Sequence, residues 1–272
     1  MLKKFSGLVA LSVICSSLYA QAVLNDDVKK SLRNVTFSES FNLKEDTFFT
    51  DRKDKIRMFL PDDWQKKVKL PPFPKFGTAE FYKDIETIMD LKKLRTPEMV
   101  RTIRDERIAT AFFIGPVHIA DLRLYHGKKD PLADFFNDVF TDIDVALYTL
   151  KKEYNRGRPV DIIPNWETAI ETPGHASYPC GHCAESHIFA HLMTEFEPEL
   201  KDEFFKSAGE ISMHREIAGV HFHSDNEAGQ LLAKQVFDLL KKSPKWKERF
   251  PIVKKIWEER RDMLLGKPFR GH

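Results

Sequence analysis

From Thr78 onward, apolar side chains recur at helical spacing in block after block. Phe81, Ile85, Ile88 and Met89 mark a first helix. Thr96-Pro97-Glu98 reads as an N-cap followed by proline in the first turn, and predicts a second helix carrying Val100, Ile103, Ile108, Ala111 and Phe112. Asp130-Pro131 starts a third, with Phe135, Phe136, Val139, Phe140, Ile143, Ala146, Leu147 and Leu150 on its inner side and Lys151 at its end. Helical period resumes from Ala184 to Phe196. Glu197-Pro198-Glu199 opens the next helix, toward Ile217, and another covers roughly His223 to Leu240. Ser243-Pro244 begins the last, through Trp246, Phe250, Val253, Ile256 and Trp257. Strand-like alternation is almost absent. The pattern predicts an all-α, single-domain helical bundle without internal repeats.

The chain before Thr78 has a different texture. Leu70-Pro71-Pro72-Phe73-Pro74 is stiff and extended. Residues 23–68 are polar and charge-rich with little period, which predicts an N-terminal arm or cap ahead of a helical domain spanning 69–265. Residues 1–22 have the layout of a signal peptide: basic Lys3 and Lys4, an apolar run from Phe5 to Leu18, then Ala20-Gln21-Ala22. That run is shorter than the ~20 residues a bilayer span needs. The expectation is a periplasmic or secreted protein with no stable membrane insertion after cleavage.

Charge and cysteine content narrow the partners. The chain carries 43 basic and 41 acidic side chains, a net charge of +2. No bulk field draws it to nucleic acid, so affinity for an anion has to come from local placement. Beyond Cys15 the chain has only Cys180 and Cys183, which is no disulfide framework. A homo-oligomer is compatible with all of this.

Three segments concentrate candidate chemistry. Lys151 to Pro159 supplies Lys151 and Arg158; Pro179 to His182 supplies Cys180, Gly181 and His182; His214 to Asp225 supplies Arg215, His221 and Asp225. Arginine forks match phosphate oxygens and stay charged. Taken singly, such residues belong to an ordinary solvated surface. A spacing of four puts His221 and Asp225 on one helical face, where the carboxylate can orient the ring. His182 sits where a loop becomes a helix, a place where backbone N–H groups face anions. Gly181 lets a ligand approach that backbone.

Together the segments resemble the signature of the type 2 phosphatidic acid phosphatase and vanadium haloperoxidase superfamily: Lys-x6-Arg-Pro, Pro-Ser-Gly-His, and Ser-Arg-x5-His-x3-Asp. The chain departs from it at Cys180 and His214, where serine is usual. The polyproline stretch and the export signal resemble the secreted class A bacterial acid phosphatases. The resemblance implies a helical bundle of the acid phosphatase/vanadium haloperoxidase type acting on a small phosphomonoester without a metal or other cofactor. In that scheme His221 is the nucleophile, Asp225 orients it and His182 is the general acid. Lys151, Arg158, Cys180, Gly181 and Arg215 bind phosphate, with the Cys180 thiol a weaker donor than the usual hydroxyl.

Other readings stay open at this point. The superfamily includes vanadium-dependent haloperoxidases, for which vanadate would be the cofactor. Cys180-Gly181-His182-Cys183 matches the tetrapeptide of thiol-disulfide oxidoreductases, and the pair could instead close into a disulfide that gates a phosphatase site. Cys180, His182, Cys183, His187 and His175 are crowded like zinc ligands. A non-catalytic phosphate-binding protein is the remaining alternative.

Overall fold

The computed structural model describes residues 57–109, 112–123 and 129–265. The expected signal peptide and most of the expected arm lie outside these residues. Nine α-helices are described: α1 Trp64–Lys67, α2 Ala79–Lys92, α3 Pro97–Asp105, α4 Pro131–Tyr154, α5 Pro159–Ile162, α6 Gly181–Phe196, α7 Lys201–Ile217, α8 His223–Leu240 and α9 Pro244–Leu265. The only sheet among the described residues is an antiparallel pair, β1 Phe113–Ile114 and β2 Val117–His118. Among the described residues, no helix is long and apolar enough to cross a membrane.

Helix starts follow local chemistry. Thr78, Thr96 and Asp130 each accept an N–H from the first turn of α2, α3 and α4 through their side chains. Asn155, at φ 47° in the left-handed region, ends α4 four residues after Lys151. α6 is buried around nearly its whole circumference, from Cys183 and Ala184 to Met193 and Phe196. A helix apolar on all sides belongs at the centre, and α7 and α8 flank it as its most extensively packed neighbours.

Two glycines set how closely these elements meet. A Cβ on Gly229 of α8 would lie 2.6 Å from the Cys180 carbonyl oxygen and 2.9 Å from Cys183 Cβ. Only a bare backbone lets α8 press against the start of α6. Gly219, at φ 74°, makes the turn between α7 and α8, and a Cβ there would lie 2.7 Å from both Arg95 Nη2 and Trp166 Nε1. Arg95 and Trp166 pin this turn by donating to the carbonyls of Ile217 and Gly219 at 2.6 and 2.8 Å.

Two sequence expectations change here. The pattern through Ile108, Ala111 and Phe112 does not continue a helix: α3 stops at Asp105 and the chain turns into the β1–β2 hairpin. Ile108 is 57% exposed, so its helical spacing reflected no buried face; Ala111 lies outside the described residues. Of the stretch read as an arm or cap, residues 57–68 are described, and they are packed. Phe59, Leu60, Trp64 and Val68 join the main core. The buried Asp142 carboxylate on α4 accepts the N–H groups of Met58, Phe59 and Leu60 at 2.9, 2.7 and 3.1 Å.

Candidate active site

Lys151 and Arg158 are fully buried, a costly placement for a cation unless something answers the charge. Lys151 Nζ donates to the carbonyls of Ala176 and Ser177 at 2.8 and 3.0 Å. Burial, with Arg158 nearby, pushes its pKa down to about 7. Arg158 stands at the N-cap of α5, where Asp161 accepts its N–H at 2.7 Å. Its guanidinium donates to the carbonyls of His175 and Val220 at 2.9 and 2.7 Å. Burial lowers its pKa to about 10, so it remains a cation at neutral pH.

Arg158 Nη1 lies 3.2 Å from His221 Nε2. Arginine can only donate, so this contact meets the imidazole lone pair. The ring proton then sits on Nδ1, which lies 3.3 Å from Asp225 Oδ2. His221 and Asp225 do meet, but they do not share a helical face. His221 precedes α8, and Phe222 is the N-cap. Asp225, third in α8, folds back and accepts the Phe222 N–H at 2.9 Å with the same Oδ2. Their contact comes from a helix cap.

Asp225 is held from the other side by Arg156, whose Nη1 donates to Oδ1 at 2.7 Å while Nη2 donates to Asp84 Oδ2 at 2.9 Å. Burial alone would raise the Asp225 pKa. Arg156, His221 and the Ser177 hydroxyl outweigh burial and hold it well below the usual carboxylate range.

Arg215, near the end of α7, is buried. Its Nη2 donates to the Ile103 carbonyl at 3.2 Å and to Glu106 Oε2 at 2.8 Å. Its Nε is a buried donor without a partner. Such a group is costly to leave unanswered and calls for an acceptor. His182, second in α6, has Nε2 3.0 Å from the Glu106 carbonyl oxygen. A carbonyl only accepts, so Nε2 carries the proton and Nδ1 is the second ring nitrogen left for chemistry. Burial, reinforced by Arg215 and His221, pushes His182 well below the usual imidazole range.

These side chains converge. Arg158, Gly181, His182, Arg215 and His221 line one cavity of about 690 Å³, together with Tyr148, His175, Glu185 and the turn Arg107, Ile108 and Ala109. Lys151, Cys180 and Asp225 stand behind that wall. A Cβ on Gly181 would meet Leu147 Cδ2 at 3.4 Å, an ordinary contact, so packing alone does not demand glycine there.

Cys180 caps α6, its Sγ accepting the Cys183 N–H at 3.4 Å. Both cysteines are free and buried. Cys183 donates to Asn226 Oδ1 at 2.9 Å. Burial opposes ionisation of Cys180, but Cys183 and His221 beside it bring its pKa well down; burial and the same pairing push Cys183 up. With both sulfurs enclosed, an attacking thiolate from another protein has no access, which disfavours disulfide exchange. The zinc-like set does not gather either: among the described residues, no group of three or more His, Cys, Asp or Glu side chains is arranged to hold a metal. His187, for one, faces the Cys183 carbonyl at 2.9 Å.

Arg156, Asp84 and Glu106 touch residues of the motif segments, yet the sequence marks none of them with a role; His175, grouped above with the zinc-like residues, instead accepts from Arg158 through its carbonyl. His214, standing where serine is usual, has Nδ1 2.9 Å from each carboxylate oxygen of Glu106.

Comparison with known proteins adds independent information. No protein-family model matches the chain. It is 28% identical over 198 residues to a non-specific acid phosphatase of Providencia stuartii, covering 68% of this chain and 77% of that protein. It is also 28% identical over 125 residues to a non-specific acid phosphatase of Salmonella typhi, covering 44% of this chain and 49%, about half, of that protein. Its fold resembles the crystal structure of a bacterial vanadium-dependent iodoperoxidase with a TM-score of 0.57, at 16% identity, over 80% of this chain and 64% of that one. At that identity the likeness is one of fold.

Proposed function

We propose that this chain, which has the helical fold and three motif segments of the type 2 phosphatidic acid phosphatase and vanadium haloperoxidase superfamily and resembles the class A acid phosphatases, is a phosphomonoesterase. The observation that carries the reading is the His221 ring. Its Nε2 lone pair meets Arg158 in a cation-lined cavity, while its Nδ1 faces Asp225.

In the proposed reaction His221 Nε2 attacks phosphorus and the ester oxygen leaves with a proton from His182. The resulting phosphohistidine is hydrolysed by water, with His182 now accepting the proton. Arg158, Arg215 and the Gly181 N–H hold the three equatorial oxygens, where negative charge accumulates, and Lys151 adds its positive charge from directly behind the wall. The unpartnered Nε of Arg215 fits this role. His182 is neutral in the free protein; a bound phosphate dianion favours its protonated form and so primes it as an acid. No metal enters this scheme. Export to the periplasm or medium completes the proposal, on the sequence of residues 1–22.

Orthovanadate, a tetrahedral oxyanion like phosphate, suits the same donors. As a resident cofactor it would be held by Arg158, Arg215 and His221, with the Lys151 charge behind them, and would supply peroxide activation. Purified protein should hydrolyse p-nitrophenyl phosphate, and orthovanadate should inhibit it. Absence of hydrolysis, or halide oxidation that appears only on adding vanadate, would reject the phosphatase reading. The pH profile has a predicted sign. As pH rises through about 7, free Lys151 loses its proton. The cradle then loses one cation, so kcat/KM should fall on the alkaline side. A kcat/KM that keeps rising well above neutrality would contradict the part given to Lys151.

A further inference from the structure

Glu106 follows the last residue of α3 and makes three contacts with the site. Its Oε2 accepts from Arg215 Nη2 at 2.8 Å. Both of its carboxylate oxygens lie 2.9 Å from His214 Nδ1. Its carbonyl oxygen is the partner of His182 Nε2 at 3.0 Å. The end of α3 is itself anchored, because Ile103 packs with Ile217, Ala218 and Val220 around the turn that leads to His221. The next three residues, Arg107, Ile108 and Ala109, line the cavity.

We propose that Glu106 is the positioning residue for the phosphate clamp: its carboxylate holds one end of the Arg215 guanidinium so that Nε is presented to the bound anion. This rests on the phosphatase reading above. The geometry divides the labour within Arg215. Nη2 is taken up by Ile103 and Glu106, both protein acceptors, and Nε is left buried without one. A guanidinium is planar, so fixing Nη2 fixes the direction of Nε as well. His214 braces the same carboxylate from the adjacent position on α7. A serine side chain is much shorter than histidine and would not reach as far, so the departure at His214 and the presence of Glu106 form one device. The Glu106 carbonyl meanwhile sets which nitrogen of His182 carries the resting proton.

The test is a double-mutant cycle between Glu106→Gln and Arg215→Ala, read by inorganic phosphate binding and by steady-state kinetics. Glu106→Gln should weaken phosphate binding about 10-fold, the scale of one charge-assisted hydrogen bond. KM should rise by the same factor for every leaving group, because the carbonyl contact to His182 is retained. In the Arg215→Ala background the same change should have no further effect. Glu106→Asp, which keeps the charge on a shorter arm, should recover part of the loss and serves as the second variant if Glu106→Gln does not fold. Additive losses, or a Glu106→Gln protein with wild-type phosphate affinity, would overturn the proposal and leave the phosphatase reading standing. A wild-type protein that neither binds phosphate nor hydrolyses its esters would overturn both.

Discussion

His221→Ala should reduce turnover of p-nitrophenyl phosphate by at least about 10,000-fold, since a removed covalent nucleophile costs up to about 10⁶ in kcat. The ring alone supplies the attacking nitrogen. Arg158, Arg215 and Lys151 donate chiefly to backbone carbonyls and, for Arg215, to Glu106. Arg158 also meets the imidazole, but its two carbonyl partners hold it without that contact. The variant should therefore still bind inorganic phosphate within a few-fold of wild type while failing to turn substrate over. The check is a pair of measurements on one preparation, kcat and phosphate affinity. Residual kcat above about a tenth of wild type would mean that another group or a water attacks phosphorus.

Arg156→Ala should be the most destabilising single change near the site. Arg156 is 1% exposed and bridges two buried carboxylates, Asp225 and Asp84. Its guanidinium also lies over the Phe222 ring, 4.2 Å from the centroid. Removing one partner of a buried ion pair leaves uncompensated charge and costs about 3–5 kcal/mol. Asp84 holds Ser224 at the start of α8 through its backbone N–H, at 3.0 Å. The loss would therefore spread into the turn that carries His221. Denaturant unfolding should show the drop, and kcat should fall with it. The pH dependence has a definite sign. Asp225 is depressed in the folded protein, so its stabilising share is present above the usual carboxylate pKa and is lost as pH falls toward the depressed value. Without Arg156 the folded-state pKa of Asp225 rises toward the usual range, so that share is smaller and its loss is complete at a higher pH. A variant within about 0.5 kcal/mol of wild type, the range of ordinary surface changes, would show that the pair does not organise the site.

How much of this was legible in the chain depends on the range of each interaction. The helix starts at Thr78, Thr96 and Asp130 were readable because an N-cap is made by residues two or three apart. Lys151, Arg158, Arg215 and His221 stood out through fixed spacings, and the fold brings them around one cavity or directly behind its wall. The pairing of His221 with Asp225 was expected on a shared helical face; its physical cause is the cap of α8. Arg156 lies inside the Lys151–Pro159 segment without a marked role, since its partners are 69 and 72 residues away. Glu106 is 109 residues from Arg215 and had no local signal. Ile108 and Phe112 misled because apolar spacing cannot separate a buried helix from a rim turn followed by a hairpin. The polar stretch before residue 69 hid Phe59 and Trp64, which are buried in the main core near the point where Asp142 on α4 accepts the Met58, Phe59 and Leu60 N–H groups.

The central claim is that a tetrahedral anion bound by Arg158 and Arg215 is attacked by His221 Nε2. Its most direct test is to mix enzyme with substrate, quench within milliseconds in alkali, which preserves phosphohistidine, and map the phosphate by peptide mass spectrometry. The account predicts one phosphate on the peptide carrying His221 and none in the His221→Ala protein. Phosphate on another residue, or turnover with no phosphoenzyme at any quench time, would contradict it.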